Sequence, residues 1–304
     1  MRILIRADSS STIGTGHIMR DLVLAKRLQL QYPNAAIHFV VRPLDGNINH
    51  RIIQEGYVII SLTSSGIKEL QKVLKKYKPD MLVIDNYNIG YKEEKRLKRS
   101  HKNMKLYVLD DTYEKHYCDI LLNHNISAEA KKYKKLTPKE CKIKCGVKYT
   151  LLRDEFYKEK KKYYKKSAKR VLLAMGGADT AELNIKILKT LKRLSLKLHV
   201  DVLTTTANKN LKKLQSYTKN KKWIKVHVES NKVAKLMKKA DLAIITPSVT
   251  LNEVHFMQVP YIAIQTAKNQ KDVVKYLQKS HLLVLKKFSA ANLFKLLKEG
   301  NYVH

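Results

Sequence analysis

The stretch RILIRADSSSTIGTGHIMRDLVLAKRLQLQ, residues 2–31, decides the fold. Residues 2–8 form a short apolar run with strand character, broken by Arg2, Arg6 and Asp8 and followed by no small-residue cleavage site. The run reads as a β-strand, not as a signal peptide. A Ser- and Gly-rich turn comes next, and residues 17–31 then carry apolar positions at helical spacing. Strand, glycine turn and amphipathic helix in that order begin a βαβ unit.

The same rhythm extends outward. Strand character recurs at 36–42, 57–62, 80–85, 104–109 and 118–122, with helical stretches such as 66–77 between them. It restarts at 169–175, and further strands are expected near 197–204, 223–228, 241–245, 260–264 and 281–285. Helices are expected over 180–194, 230–239, 249–257, 268–279 and 289–298. Between the two series lies FYKEKKKYYKKSAK, residues 156–169, a charge run of the kind that forms a solvated linker or an exposed helix. The expected organisation is an N-terminal α/β domain over 1–155, a linker over 156–169 and a C-terminal α/β domain over 170–304. Two open parallel sheets in tandem would place a ligand in a cleft at the carboxyl ends of their strands.

Composition narrows the function classes. The 304 residues suffice for two ordinary domains, and 44% hydrophobic residues is normal for a globular protein. No apolar run approaches the roughly 18 residues of a membrane span, so a cytoplasmic protein with no membrane partner is expected. Cys118, Cys141 and Cys145 are too few, and odd in number, for a disulfide framework. Cys141 and Cys145 have C-x-x-x-C spacing, but no second Cys/His pair completes a metal site, and free thiols are expected. A net charge of +35 would suit a nucleic-acid or anionic-membrane surface. The lysines, however, recur through nearly every helical segment, without RNP-like aromatics, a zinc finger or a basic heptad region. A solvated surface is the better account, and no specific nucleic-acid partner is expected.

Chemistry concentrates where strands turn into helices. In the opening turn, Gly14 and Gly16 let the backbone approach a phosphate or sugar, and the helix N-terminus offers unpaired N–H groups. Met19 stands at the third position of G-x-G-x-x-G, so the dinucleotide fingerprint is absent. His17 lies in the first turn, where the positive end of the helix dipole disfavours an imidazolium. A neutral imidazole beside an anion site is suited to take a proton from water; packing or capping of the helix is the alternative. Met175-Gly176-Gly177-Ala178-Asp179-Thr180 is again a glycine turn feeding a helix, suited to a diphosphate or to a tight turn capped by Asp179 or Thr180. In TPSVTLNEV, residues 246–254, Thr250 and Glu253 have the spacing of a capping box. The other reading has Glu253 accepting from two ribose hydroxyls, Ser248 and Thr250 on phosphate, and Lys268-Asn269-Gln270 beside them. Asp85-Asn86-Tyr87 and Asp110-Asp111 follow strands and suit sugar hydroxyls, a metal or no ligand. No D-x-D directly follows a strand, so a metal-bridged diphosphate is not indicated.

Taken in order, RADSSSTIGTGHIMRDLVLAK, DNYNI, LDD followed by CDILLN, KCGVKYTLLRDEFY, MGGAD, SVTLNEV and KNQ resemble the UDP-sugar hydrolases of the pseudaminic acid pathway, from Met1 to about Leu285. The resemblance implies an α/β fold of two Rossmann-like domains facing across a cleft, the GT-B type, similar to the glycosyltransferase that adds N-acetylglucosamine to lipid II. It implies a small-molecule substrate, UDP-2,4-diacetamido-2,4,6-trideoxy-β-L-altropyranose, hydrolysed to free sugar and UDP with neither metal nor other cofactor. It carries His17 over as general base, with Gly14, Gly16, Tyr87 and Asn269 around the sugar. Arg153 and Glu253 would bind substrate, Glu253 at the ribose. Gly176, Gly177 and Ser248 would hold the phosphates, with Asp179 and Thr250 completing the UDP set. Asn86 stands where the family can carry His, and the Lys/Leu-rich tail beyond Leu285 is longer than the family's. A monomer is expected. A UDP-sugar glycosyltransferase of the same fold is the runner-up, and a noncatalytic nucleotide- or RNA-binding protein the third reading.

Overall fold

Strands and helices alternate as the hydrophobic periods predict. In the computed structural model, which describes residues 1–159, 169–194 and 197–299, the chain divides into two units. One consists of Met1–Ile13 and His17–Leu151, the other of Gly14–Gly16 and the chain from Leu152 onward.

The first unit runs β1 (Arg2–Ala7), α1 (Gly16–Gln31), β2 (Ala36–Val41), α2 (Asn49–Gln54), β3 (Val58–Ser61), α3 (Ile67–Tyr77), β4 (Met81–Asp85), α4 (Tyr91–Ser100), β5 (Lys105–Leu109), β6 (Ile120–Asn123) and β7 (Lys142–Cys145). Its parallel sheet has the order β3-β2-β1-β4-β5-β6-β7. Both faces are covered, which is why the central strands read as continuous apolar runs. Ile3 and Ile5 pack with Ile18, Leu22 and Ala25 of α1, whereas Leu4, Leu82 and Ile84 pack with Leu70 and Leu74 of α3 and Leu97 of α4. The chain reverses direction across the sheet between β1 and β4, whose register sets Ala7 beside Asp85. Loops leaving these two strands diverge, and the crevice at their carboxyl ends is where such folds bind ligands.

The second unit runs α5 (Asp154–Lys158), β8 (Arg170–Ala174), α6 (Asn184–Lys192), β9 (His199–Thr204), α7 (Leu211–Thr218), β10 (Ile224–Val228), α8 (Val233–Lys239), β11 (Leu242–Ile245), α9 (Val249–Phe256), β12 (Tyr261–Ile264), α10 (Lys271–Lys279), β13 (Val284–Leu285) and α11 (Ala290–Glu299). Its parallel sheet, β10-β9-β8-β11-β12-β13, repeats the first order and has its switch point between β8 and β11. Val171, Leu173, Val202 and Ile244 form a core with Ile187, Leu188 and Leu191 of α6. Residues 290–299 of the Lys/Leu-rich tail form α11, which adds Leu293 and Leu297 to that core.

Neither β7 nor α7 was among the expected ranges. β7 has the sequence KIKC, an edge strand whose alternating lysines hide its apolar period, and α7 is a short helix with only two buried residues, Leu214 and Thr218. Other boundaries shift. The helix expected over 180–194 begins at Asn184, and the one over 268–279 opens with a 3₁₀ turn, Lys268–Gln270. The strand over 281–285 shortens to Val284–Leu285. At the start of the expected linker, residues 156–158 belong to α5, with Phe156 fully buried; residues 160–168 of that linker lie outside the described residues. All three cysteines are free. Among the described residues, no helix is long and apolar enough to cross a membrane.

Candidate active site

α1 begins at Gly16, so His17, Arg20 and Asp21 of the first unit fall within one turn on one helical face, and all three are buried. Facing them is Asp85, the last residue of β4. Its carboxylate lies 2.7 Å from His17 Nδ1 and receives a bidentate pair from Arg20, Nε at 2.6 Å and Nη2 at 2.5 Å. Burial works against the Asp85 charge, but Arg20 and His17 hold its carboxyl below the usual carboxylate range. An Nδ1–H donated to a carboxylate fixes the tautomer and leaves the Nε2 lone pair as the free base. Arg20 Nη1 also donates to Asp111 Oδ2 at 3.1 Å, and the Tyr87 hydroxyl donates to Asp111 Oδ1 at 2.7 Å. The Tyr87 ring, half exposed, meets His17 edge-on with centroids 5.1 Å apart.

Neighbouring groups fix the loops that carry this cluster. Gly14 has φ +87°, a conformation costly for any side chain, and Ser10 Oγ accepts from Ile13 N at 2.9 Å. Buried Asp8 accepts from Arg6 at 2.6 and 2.7 Å, from Arg42 N and Nε at 2.9 Å and from Asn86 Nδ2 at 3.1 Å. Asn86, the departure in DNYNI, thus ties the turn after β4 to the end of β1. Asp110 and Asp111 do not share a surface. Asp110 turns inward, accepting from Thr112 N and Oγ1, Tyr113 N and the Tyr133 hydroxyl. Despite burial, these groups and His116 hold Asp110 at about 2. His116, 2.7 Å from Glu94 and 3.6 Å from Asp110, is pushed up to about 9 by the two carboxylates, which outweigh its own burial. Asp110 therefore shapes the turn that presents Asp111.

The second unit builds its switch point from different groups. After β8, a Cβ on Gly177 would stand 2.8 Å from Thr205 Cγ2, so only glycine fits without displacement. Thr205 N and Thr204 Oγ1 donate to the Gly177 carbonyl at 2.9 and 3.1 Å. Asp179 is buried, and its two oxygens accept from Leu183 N at 2.9 Å and Asn184 N at 3.1 Å. Burial pushes its carboxyl up to about 6, against the pull of those N–H groups. Asp179 thus caps the start of α6, and the Gly176–Gly177 backbone remains as the feature suited to a phosphate.

After β11, α9 begins at Val249 behind Ser248, with no side-chain cap. The capping box, one of the two readings of the Thr250 and Glu253 spacing, is not formed, because both lie inside the helix. Glu253 is instead buried against Arg153, Nη2 at 3.2 Å, and burial raises its carboxyl above the ordinary range, with Arg153 offsetting only part. Arg153 Nη1 pairs with Glu155 at 2.6 Å, and the guanidinium lies 5.1 Å over the Phe156 ring. Gln270 Nε2 donates to Thr246 Oγ1 at 2.9 Å while Gln270 Oε1 accepts from Thr266 N at 2.8 Å. These bonds fasten the KNQ turn to the loop carrying Ser248. Asn269, Ser248 and Thr250 are all half-buried.

No family model matches the chain. A UDP-2,4-diacetamido-2,4,6-trideoxy-β-L-altropyranose hydrolase from Campylobacter jejuni is 37% identical over 279 residues, 92% of this chain and 97% of that protein. The chain belongs to this hydrolase family. Acinetobacter baumannii MurG superposes with a TM-score of 0.60 at 14% identity, over 98% of this chain and 90% of MurG. Anabaena HepE, crystallised with UDP and glucose, gives 0.60 at 11% identity, over 98% and 89%. At such identities the likeness shows the fold, two Rossmann-like domains of GT-B type.

Within this hydrolase-family chain, sequence reasoning missed Arg20 and Asp111 as partners in the His17 cluster, and it left Asp85 without a partner. A cation three residues after His17 on the buried face of α1 was the available signal for Arg20. Gln270 and Glu155, which support the second site, lie inside the motifs KNQ and LLRDEF, but neither was given a role of its own.

Proposed function

We propose that the chain hydrolyses UDP-2,4-diacetamido-2,4,6-trideoxy-β-L-altropyranose to UDP and the free sugar, a step of pseudaminic acid biosynthesis, by attack of water on the anomeric carbon. The observation that carries this reading is 37% identity to that hydrolase across 92% of the chain, with His17 held at 2.7 Å by Asp85. UDP leaves readily, since its departing phosphate is a weak base, and polar donors around it carry the developing charge. The enzyme's remaining task is to orient and deprotonate one water. In this mechanism His17 Nε2 takes the water proton while Nδ1–H stays on Asp85, whose charge stabilises the imidazolium that forms. Gly14, Gly16, Tyr87 and Asn269 surround the sugar. Gly176, Gly177, Ser248 and Thr250 receive the phosphates, with Asp179 supporting their turn, and Glu253, held by Arg153, accepts the ribose hydroxyls. Residues 1–155 thereby supply the base and 170–304 the UDP site. The enzyme acts as a cytoplasmic monomer without metal, and its positive field draws in the diphosphate.

Turnover in oxygen-18 water without an acceptor tests the mechanism. Label in the sugar, inverted at the anomeric carbon before mutarotation, is the expected outcome. Label in the terminal phosphate of UDP would mean P–O cleavage, and release that depends on an acceptor would mean a glycosyltransferase.

A further inference from the structure

Asp21 has no part in the mechanism above, yet its setting is unusual. It is wholly buried, and among the described residues no hydrogen-bond donor reaches either of its carboxyl oxygens. It follows Arg20 on α1, lies one turn from His17 on the buried face of the helix, and interacts with the Asp85 carboxyl group. Arg20 does not serve it: its Nε and Nη2 donate to Asp85 and its Nη1 to Asp111, and none of its N–H groups reaches Asp21. An ionised carboxylate in such a place would lack both solvent and donors, beside a second carboxylate already fixed as an anion. Two buried carboxyl groups in one site settle this by keeping one proton between them.

We propose that Asp21 is a neutral carboxylic acid that donates its proton in a hydrogen bond to Asp85, as a positioning residue behind the His17–Asp85 pair. The groups facing it agree with this assignment. Burial, followed by the Asp85 charge, raises the Asp21 carboxyl well above its ordinary range, and Arg20 opposes this only in part. From β5, Tyr107 faces Asp21 as a neutral phenol, its own ionisation raised by burial. After β6, buried His124 is lowered to about 3 by burial and by the Arg20 charge, so it brings no cation to the cluster. Arg27, farther along α1, spends its Nη2 on the Thr150 carbonyl.

The charge balance gives the proton its purpose. One guanidinium, Arg20, and two carboxylates, Asp85 and Asp111, leave the cluster at minus one while His17 is neutral. When His17 takes a proton from water the cluster becomes neutral, whereas an ionised Asp21 would have left it charged. The neutral acid also supplies Asp85 with one more donor beside those of Arg20 and His17, which steadies the carboxylate that holds Nδ1.

The test reads the proton directly. In protein carrying aspartate labelled with carbon-13 at Cγ, one protonated carboxyl signal is expected at about pH 8. Asp179, pushed up only to about 6, is ionised there, and Glu253 carries no label. The signal should vanish in Asp21→Asn. Wild-type spectra showing only carboxylates at that pH, or a signal that persists in Asp21→Asn, would overturn the proposal; should the variant not fold, the wild-type spectrum decides alone. Kinetics adds a second reading. Asp21→Asn keeps a donor and should hold kcat within ~3-fold with an unmoved pH profile, while Asp21→Leu should lose about tenfold in kcat with KM little changed. Equal losses in both variants would mean that an ionised carboxylate is needed, against the proposal. The kinetic arm rests on the proposed hydrolysis, but the carbonyl signal is read without turnover, so the two failures are distinct.

Discussion

The two sheets share one strand order, yet their switch points are furnished with opposite chemistry. Between β1 and β4 the chain gathers side-chain charges, Arg6 with Asp8 and His17 and Arg20 with Asp85, each locked to a partner. Between β8 and β11 it gathers glycines, hydroxyls and an amide, Gly176, Gly177, Thr204, Thr205, Thr246 and Gln270. The carboxylates nearby, Asp179 and Glu253, are turned to a helix start and to Arg153. The shared topology supplies position, and the loops decide chemistry. A base needs a fixed countercharge behind it, whereas a diphosphate needs donors and no facing carboxylate.

The sharpest break of this contrast comes from exchanging its charged centre. His17→Asn should lower kcat by ~10²–10⁴ while UDP affinity stays within a few-fold. Asp85→Asn should match that loss and also strand the buried Arg20, costing about 3–5 kcal/mol of stability. Steady-state kinetics, UDP calorimetry and thermal melts separate these effects. Loss of UDP affinity with intact turnover in His17→Asn would erase the division of labour between the two switch points.

A second test addresses how the first unit holds Asp111. His116, with its side chain 8% exposed, sits at about 9 in the folded chain, above the ~6.5 of an unfolded histidine. Its contribution is fully present below about pH 6.5 and is lost as pH rises through about 9. The gap bounds it at about 3 kcal/mol. The stability difference between wild type and His116→Gln should therefore shrink between neutral and alkaline pH. A difference that grows in that direction would show that the imidazolium is not the stabilising form.

The contrast also explains what was legible in the sequence. Central strands such as β1, β4, β8 and β11 are buried on both faces, so their apolar runs announce them. β7 is an edge strand with lysines in alternation and has no such run. Glycine turns before helices marked both switch points, because backbone geometry restricts residue choice there. Partnerships were harder to read. Nothing local in the sequence joins His17 to Asp85, 68 positions away, or Arg153 to Glu253, 100 positions away; sheet register and loop course decide them. The capping box failed for a related reason. Its spacing at Thr250 and Glu253 was correct, but α9 starts before Thr250 and leaves neither residue at the cap.

In the second unit the Arg153–Glu253 pair gives an intermediate effect. Glu253→Gln keeps the volume and removes the charge that holds Arg153 and that, in the proposed site, accepts from the ribose. UDP affinity should fall by at least tenfold, the worth of hydrogen bonds to a charged group, about 1.5–3 kcal/mol, with kcat at saturation little changed. A variant that binds UDP normally but turns over slowly would move Glu253 to the chemical side of the comparison.

The smallest expected effect discriminates the finest point. Thr250 is the second residue of α9 and makes no side-chain cap bond, so its hydroxyl is not needed to start the helix. Thr250→Ala should keep stability within about 0.5 kcal/mol of wild type, whereas losing a true cap costs typically ~1 kcal/mol. Alanine is also the better helix former, which shifts any residual change toward stabilisation. If the hydroxyl meets a phosphate, UDP affinity should drop by roughly fivefold, about 1 kcal/mol for one hydrogen bond. Melting curves and UDP titration on the same sample separate the two outcomes. A clear loss of stability with unchanged affinity would restore Thr250 to a capping role. It would also leave the second switch point with Ser248 as the hydroxyl for phosphate in this helix turn.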